Sequence, residues 1–218
     1  MSTLKCHAEL LIFDLDGTLV DTRRDLANAV NYALRQLGRN ELGLKTLTSY
    51  VGDGLRKLLE RALDDPSDSE LESARQHFRH FYKEHVADFS QLYPGMLEAL
   101  ENFNDKKKAV LTNKPQEFTD ALLQRLEICK YFEFVIGGQP NLKLKPDPDG
   151  ALKILAHLAA PPSRTIIIGD GENDILAGKA AGIITCAATY GFRPAEKLLA
   201  LAPDFVVDEP MALKNFIV

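Results

Sequence analysis

The stretch ELLIFDLDGTLVDT, residues 9–22, decides how the rest of the chain is read. It begins as a continuous apolar run and ends in two aspartates, Asp14 and Asp16, followed by Gly17 and Thr18. A run apolar on both sides of its alternation suits a strand buried on both faces. Side chains at i and i+2 of an extended segment point the same way, so Asp14 and Asp16 approach one region at the strand's C-terminal end. Two like charges at the end of a buried strand require compensation.

Four more apolar runs of β type follow, KAVLTN (108–113), FEFVIGG (132–138), RTIIIGD (164–170) and GIITCAAT (182–189). They alternate with helix-period stretches: PQEFTDALLQRL, with Pro115 suited to a first helical turn, DPDGALKILAHL, and NDILAGKAAG, ending at Gly182. Strands of this kind alternating with helices predict an α/β fold with a Rossmann-like parallel sheet. In such sheets the ligand crevice lies beyond the C-terminal strand ends.

Residues from about 20 to 92 carry helical patterns and no convincing strand, which predicts an inserted all-helical domain. Thr22 and Asp25 make a capping-box pattern before Leu26, Val30, Ala33, Leu34 and Leu37, and Gly38 stops that helix. Leu55, Leu58, Leu59 and Ala62 form a second stripe. Ser67 with Glu70 opens a third, carrying Leu71, Ala74, Phe78, Phe81 and His85. Tyr93-Pro94-Gly95 marks the return to the sheet, giving a core of 1–19 and 93–218 and an insert of 20–92.

The chain has 218 residues, 45% of them hydrophobic, and a formal charge of −5. That length suits one large domain or one domain with an insert, and the charge argues against nucleic acid or an anionic membrane as partner. Cys6, Cys129 and Cys186 are scattered, so neither a disulfide framework nor a zinc site is expected, and a cytoplasmic compartment is. The N-terminal run is too short and too soon broken for a signal peptide, and no segment is apolar enough to span a membrane. His77 and His80 are an i,i+3 pair without a further ligand and read as packing or surface residues, like His7, His85 and His157.

The acids and cations at the other strand ends complete the pattern. IIIGDGENDI supplies Asp170 directly after its strand and Asp174 four residues on. An oxygen-only set of carboxylates suits Mg²⁺, which takes one or two carboxylates, waters and phosphate oxygens. Thr112 and Asn113 end VLTN, and Lys145 lies in LKLKPDP, so a hydroxyl, backbone donors and an ammonium offer a phosphate cradle. The competing readings are local: Gly17, Thr18 and Gly171 as turn residues, Asp170 and Asp174 as helix caps.

With these residues in order, the chain resembles the haloacid dehalogenase superfamily of phosphotransferases, and most closely its phosphoglycolate phosphatase group. The four motifs are Asp14-Leu15-Asp16-Gly17-Thr18, Thr112 in LTNKP, Lys145 in KPDP, and Asp170 with Asp174. Lys143 is two positions before Lys145 and shares its face; adjacency to Pro146 follows the family pattern and selects Lys145. The resemblance implies Asp14 as nucleophile, forming an aspartyl-phosphate, and Asp16 as acid and base, its pKa raised from about 3.9 by crowded carboxylates. It implies Mg²⁺ held by Asp14, the Asp16 carbonyl and Asp170, with Asp174 near the metal and orienting Lys145. Thr112 and Asn113 would bind phosphoryl oxygens. The insert corresponds to a mobile cap over the crevice. Its loop YVGDGLRK (50–57) places Gly52, Gly54 and Arg56 where a substrate carboxylate could be received. The expected substrate is a small phosphorylated metabolite, phosphoglycolate foremost. A β-phosphoglucomutase-like phosphotransferase shares the motifs and is the alternative. One departure is GDGENDI, where Gly171-Glu172 replaces the Asp-Ser or Asp-Asp continuation usual in that group.

Overall fold

The architecture was read from a computed structural model that describes residues 5–218. Along the chain run β1 (Leu10–Phe13), β2 (Val20–Asp21), α1 (Arg23–Gln36), α2 (Leu44–Tyr50), α3 (Leu55–Leu63), α4 (Asp68–Glu84), β3 (Gln91–Leu92) and α5 (Met96–Asn102). Then come β4 (Lys107–Pro115), α6 (Gln116–Arg125), β5 (Phe134–Gly138), α7 (Asp149–Leu158), β6 (Thr165–Gly169), α8 (Glu172–Ala180), β7 (Ile184–Ala188), α9 (Ala195–Leu199) and β8 (Phe205–Val207).

Six of the strands form one sheet in the order β5-β4-β1-β6-β7-β8, every neighbouring pair parallel. The chain winds outward from β1 to one edge, returns past it at β6 and winds to the other edge. This is the doubly wound α/β arrangement, and its switch point, where a crevice opens, lies at β1 between β4 and β6. Leu11, Phe13, Val110, Ile166 and Ile168 pack on one face with Phe118 and Leu122 of α6 and Met96 and Leu100 of α5. Leu10, Ile12, Ala109, Leu111 and Ile167 pack on the other with Ile154, Leu155 and Leu158 of α7. Burial on both faces is why these strands read as unbroken apolar runs.

The five expected strands form. The sixth, β8, is three residues long, and so short a segment carries no periodicity. Between β1 and β4 the chain supplies α1 to α4, whose stripes meet in a common core of Leu26, Val30, Leu34, Leu58, Leu59, Leu71 and Phe78. The expectation of no strand in this interval needs correction. β2 and β3 pair antiparallel, Val20 with Leu92 and Asp21 with Gln91, so the two crossings form a ribbon. Each strand has two residues, and only their juxtaposition defines them.

The predicted box at α1 is also corrected. Thr22 occupies the N-cap without a side-chain capping bond. Its hydroxyl instead donates to Asp16 Oδ1 at 2.7 Å. The buried Asp25 carboxylate accepts from the backbone N–H of Phe89 and Ser90 and from the Ser90 hydroxyl, at 2.6–3.2 Å. The Ser67 cap does form, accepting from Glu70 N–H at 3.3 Å. Pro115 ends β4 and caps α6 instead of entering its first turn.

Candidate active site

β1 delivers Asp14, whose N–H donates to Ile168 O at 2.9 Å and so fixes it beside β6. The chain then turns sharply at Gly17, with φ +91°. A Cβ there would collide with the Asp170 carboxylate, as would one at Gly191; a Cβ at Gly169 would collide with Asp174. Three glycines therefore make room for two carboxylates.

Asp14, Asp170 and Asp174 each offer an oxygen within 4.8 Å of the others. Lys145 is buried among them, its ammonium 3.0 Å from Asp14 Oδ1, 2.5 Å from Asp174 Oδ1 and donating to Leu111 O at 2.6 Å. Asp170 accepts from the Thr18 hydroxyl at 3.0 Å and from Phe192 N–H at 2.7 Å. Thr18 thus serves the acid across the sheet in addition to its own turn. Asp174 lies at the third position of α8 and accepts from Gly171 N–H at 3.0 Å, so the capping role and the site role coexist.

One ammonium among three buried carboxylates leaves negative charge uncompensated. Burial, with the Asp174 charge adding to it, raises the Asp14 pKa to about 6 despite Lys145. Burial, reinforced by Asp14, raises Asp170 to about 8. Burial alone would lower Lys145, but the flanking carboxylates hold it above the ordinary lysine value. Asp14 Oδ1, in ion-pair contact with Lys145, makes no hydrogen bond; among the described residues it is the one buried side-chain polar atom without one. An unspent carboxylate oxygen in an oxygen-only cluster fits a hard divalent cation such as Mg²⁺.

Asp16 faces elsewhere. Lys114 Nζ approaches its two oxygens at 3.0 and 3.2 Å, and Thr22 donates to one of them. The carboxylate crowding expected around Asp16 surrounds Asp14 instead, and the Asp16 side chain stands outside the three-acid cluster. The reason is that β1 ends at Phe13 and the chain is already turning at Leu15, so Asp14 and Asp16 do not share a strand face. The buried Lys114 ammonium, its pKa raised to about 12 by Asp16 against the opposing effect of burial, also donates to Tyr82 Oη at 2.8 Å.

Thr112 and Asn113, near the end of β4, are buried beside Asp14. The Asn113 side chain accepts from Lys145 N–H at 2.8 Å and donates to Lys145 O at 2.8 Å and Gly52 O at 2.9 Å. It therefore fixes the lysine's backbone and ties it to the loop before α3. Lys143 is exposed and pairs with Asp147 at 3.3 Å, so Lys145 is the lysine in the site.

Gly52 and Gly54 reach the crevice. Arg56 does not: it pairs with Glu60 at 2.7 Å on the exposed side of α3. Its position on α3 turns its side chain away from the buried face of Leu58, Leu59 and Ala62. The arginines that reach the crevice are Arg61 and Arg193. Arg193 donates to Ser49 O at 2.6 Å and Val51 O at 2.5 Å and lies 3.3 Å from Glu172. Asp53 accepts from Asn173 at 2.6 Å and pairs with Arg61 at 2.5 Å. Sequence reasoning missed Lys114, Tyr82 and Arg193. Lys114 lies inside LTNKP, and Tyr82 is one turn beyond Phe78 on the α4 stripe. Nothing local distinguishes Arg193.

Two compartments meet at Asp14, Asp16 and Gly52. One is polar, about 350 Å³, bordered by Lys145, Asp170, Asp174, Arg61 and Arg193. The other is about 50 Å³, walled by Leu26, Leu55, Leu58, Phe78 and Phe118 and bordered by Thr112, Lys114 and Tyr82.

The sequence profile of the haloacid dehalogenase-like hydrolases matches residues 11–188. The chain is 36% identical over 207 residues to phosphoglycolate phosphatase 1 of Pseudomonas aeruginosa, covering 91% of this chain and 76% of that protein. It is 36% identical over 206 residues to phosphoglycolate phosphatase of Aquifex aeolicus, covering 94% of each. A crystal structure from Haemophilus somnus, described as a predicted phosphoglycolate phosphatase, superimposes with a TM-score of 0.90 at 28% identity, over 95% of this chain and 97% of that one. A doubly wound sheet with acids at its switch point and this profile define the class: the chain belongs to the haloacid dehalogenase-like hydrolase family. Its resemblance to the phosphoglycolate phosphatase group, drawn from four short motifs, extends over nearly the whole chain.

Proposed function

We propose that this chain hydrolyses a small phosphomonoester, phosphoglycolate foremost, in a Mg²⁺-dependent reaction that passes through phosphorylated Asp14. The observation that carries the reading is the buried Lys145, spanning Asp14 and Asp174 beside an Asp14 oxygen without a hydrogen bond. An anionic nucleophile and an anionic phosphoryl group can meet only where positive charge is fixed in place.

In this reading an Asp14 oxygen attacks phosphorus in line, the ester P–O bond breaks, and Asp16 gives its proton to the departing alkoxide. Water then attacks the phosphorus, its proton goes to Asp16, and the bond to Asp14 breaks to release phosphate. Thr112 Oγ1 and the Asn113 N–H hold the phosphoryl oxygens, and Lys145 offsets their charge throughout. Asp14, the Asp16 carbonyl and Asp170 would hold Mg²⁺, with Asp174 beside it; the ion supplies charge neutralisation for the phosphoryl oxygens. Residues 20–92 serve as a cap over a core of 1–19 and 93–218, excluding bulk water from the reactive phosphoryl-aspartate.

The small compartment supports a small leaving group. Its 50 Å³ holds about four waters. A short leaving group such as glycolate suits a space of that size.

The test is phosphate release from a panel of phosphoglycolate, sugar phosphates, nucleotides and pyrophosphate, with Mg²⁺ and with chelator. Metal-dependent release with phosphoglycolate preferred is expected. Absence of release from every substrate, with a well-folded sample and metal present, refutes hydrolysis and turns attention to phosphoryl transfer between sugars.

A further inference from the structure

The small compartment holds a pair of groups that the reaction above leaves unused. Tyr82 comes from α4 and Lys114 from the end of β4, so the pair joins the helical insert to the sheet. The Tyr82 ring is fully buried, tilted against Phe78 with centroids 5.1 Å apart and edge-on to Phe118 at 5.1 Å. Its oxygen accepts from Lys114 at 2.8 Å, which leaves the hydroxyl proton to be donated elsewhere. No acceptor for that proton lies among the described residues. Burial keeps the phenol protonated, pushing its pKa to about 12. That proton is available to a water in the compartment, or to a ligand oxygen that displaces the water.

The neighbouring ammonium indicates the acceptor's charge. Lys114 already holds one carboxylate, that of Asp16, at 3.0 and 3.2 Å. Leu26, Leu55, Leu58, Phe78 and Phe118 form the apolar walls, and the other polar side chains of the compartment, Asp14, Asp16, Thr112 and Asn113, belong to the phosphoryl-transfer site proposed above. A leaving group entering past Asp16 therefore meets one hydroxyl donor and one fixed cation, side by side. Two donors on adjacent centres match the two oxygens of a carboxylate.

We propose that Tyr82, with Lys114 beside it, is the specificity-determining group that binds the carboxylate of the substrate's leaving group, so that the enzyme selects phosphoesters of short hydroxy acids over neutral esters of equal length. This rests on the hydrolase reading of the same site and adds the residue that makes the choice. Tyr82 donates to one carboxylate oxygen, and the Lys114 charge stabilises the anion. A neutral chain in the same place leaves the hydroxyl proton unpaired, and discrimination arises from that loss.

The experiment compares kcat/KM for phosphoglycolate and for n-propyl phosphate in the wild type and in Tyr82→Phe, which removes one oxygen without changing the ring. The ratio of the two constants is expected to fall about tenfold to a hundredfold in the variant, the effect of one hydrogen bond to a charged group. A wild type that prefers phosphoglycolate while Tyr82→Phe leaves the ratio unchanged overturns this inference alone. That is also what a purely structural Tyr82 gives, since it slows both substrates alike. A wild type that hydrolyses n-propyl phosphate and not phosphoglycolate overturns both this inference and the substrate reading above. If Tyr82→Phe fails to fold, product inhibition of the wild type decides: glycolate is expected to inhibit at least tenfold better than 1-propanol, and equal inhibition refutes the carboxylate seat.

Discussion

Lys145 is placed where the proposed chemistry and the balance of buried charge meet. It is the single ammonium among Asp14, Asp170 and Asp174. Lys145→Met is expected to lower kcat/KM at least about a hundredfold, as removal of a fixed charge from a transition state does. The same change should lower the melting temperature, more at pH 8 than at pH 5, because at the lower pH Asp14 and Asp170 can take up protons instead of repelling each other. Steady-state kinetics and thermal melts at the two pH values check both. Asp14→Asn should abolish turnover and leave the melting temperature equal or higher, since it removes a charge whose burial is unfavourable. Near-normal activity in that variant, with mass spectrometry showing no reversion by deamidation, removes Asp14 as nucleophile. At this scale the sequence was informative where polar residues fall in or just after an apolar run: Asp14, Asp16, Thr112 and Asp170 reach the crevice, joined by Lys145 from the β5–α7 loop and Asp174 from α8. It was uninformative for Arg56 and Arg193, because which arginine faces the site depends on helix rotation and on a loop meeting a distant segment.

Among the elements, α1 illustrates how a local motif loses to a tertiary one. Thr22 and Asp25 have the spacing of a capping box, yet each side chain finds a stronger partner. Asp25, buried at the base of the insert, collects three donors from the returning chain at Phe89 and Ser90 and so pins the β2–β3 crossing. Asp25→Ala should cost about 2–3 kcal/mol, the magnitude for losing hydrogen bonds to a charged group and orphaning buried donors. A loss below about 1 kcal/mol in urea unfolding, typical of an exposed cap, sinks that role. Arg193, which binds Ser49 O and Val51 O, holds the α2–α3 loop to the core together with Asn113 and Asn173, which donate to Gly52 O. Arg193→Ala is expected to accelerate amide exchange in the α2–α3 loop while leaving β1, β4 and β6 protected. Uniform acceleration across the sheet would show that the arginine serves global stability instead of the loop.

For the molecule as a whole, the site is a net cost until its charge is balanced. Asp14 and Asp170 have folded pKa values of about 6 and about 8, above their ordinary carboxylate values. A carboxylate with a raised folded pKa contributes stability below its unfolded pKa, and that contribution is lost as pH rises through the folded one. Metal-free protein should therefore lose melting temperature between about pH 4 and pH 8 through this site. A divalent cation that binds only the ionised folded cluster restores it by mass action. The increase in melting temperature on adding Mg²⁺ should thus be larger at pH 8 than at pH 5; an increase independent of pH contradicts binding at this cluster.

What the sequence by itself determined is the parallel sheet, the helices between its strands and the order of polar residues that follow its apolar runs. These follow from short-range regularities: apolar runs buried on both faces, stripes at helical period, and polar residues where a strand stops. What only the tertiary structure decided is how those residues pair. The turn that begins at Leu15 sends Asp16 to Lys114 and leaves Asp14 with Lys145, Asp170 and Asp174. Two-residue strands become a ribbon because residues 20–21 and 91–92 are brought together, and Tyr82 meets Lys114 across 32 positions of chain. Hydrogen bonds and ion pairs act over a few ångströms and are indifferent to sequence separation, so their partners are settled only once the chain has closed on itself.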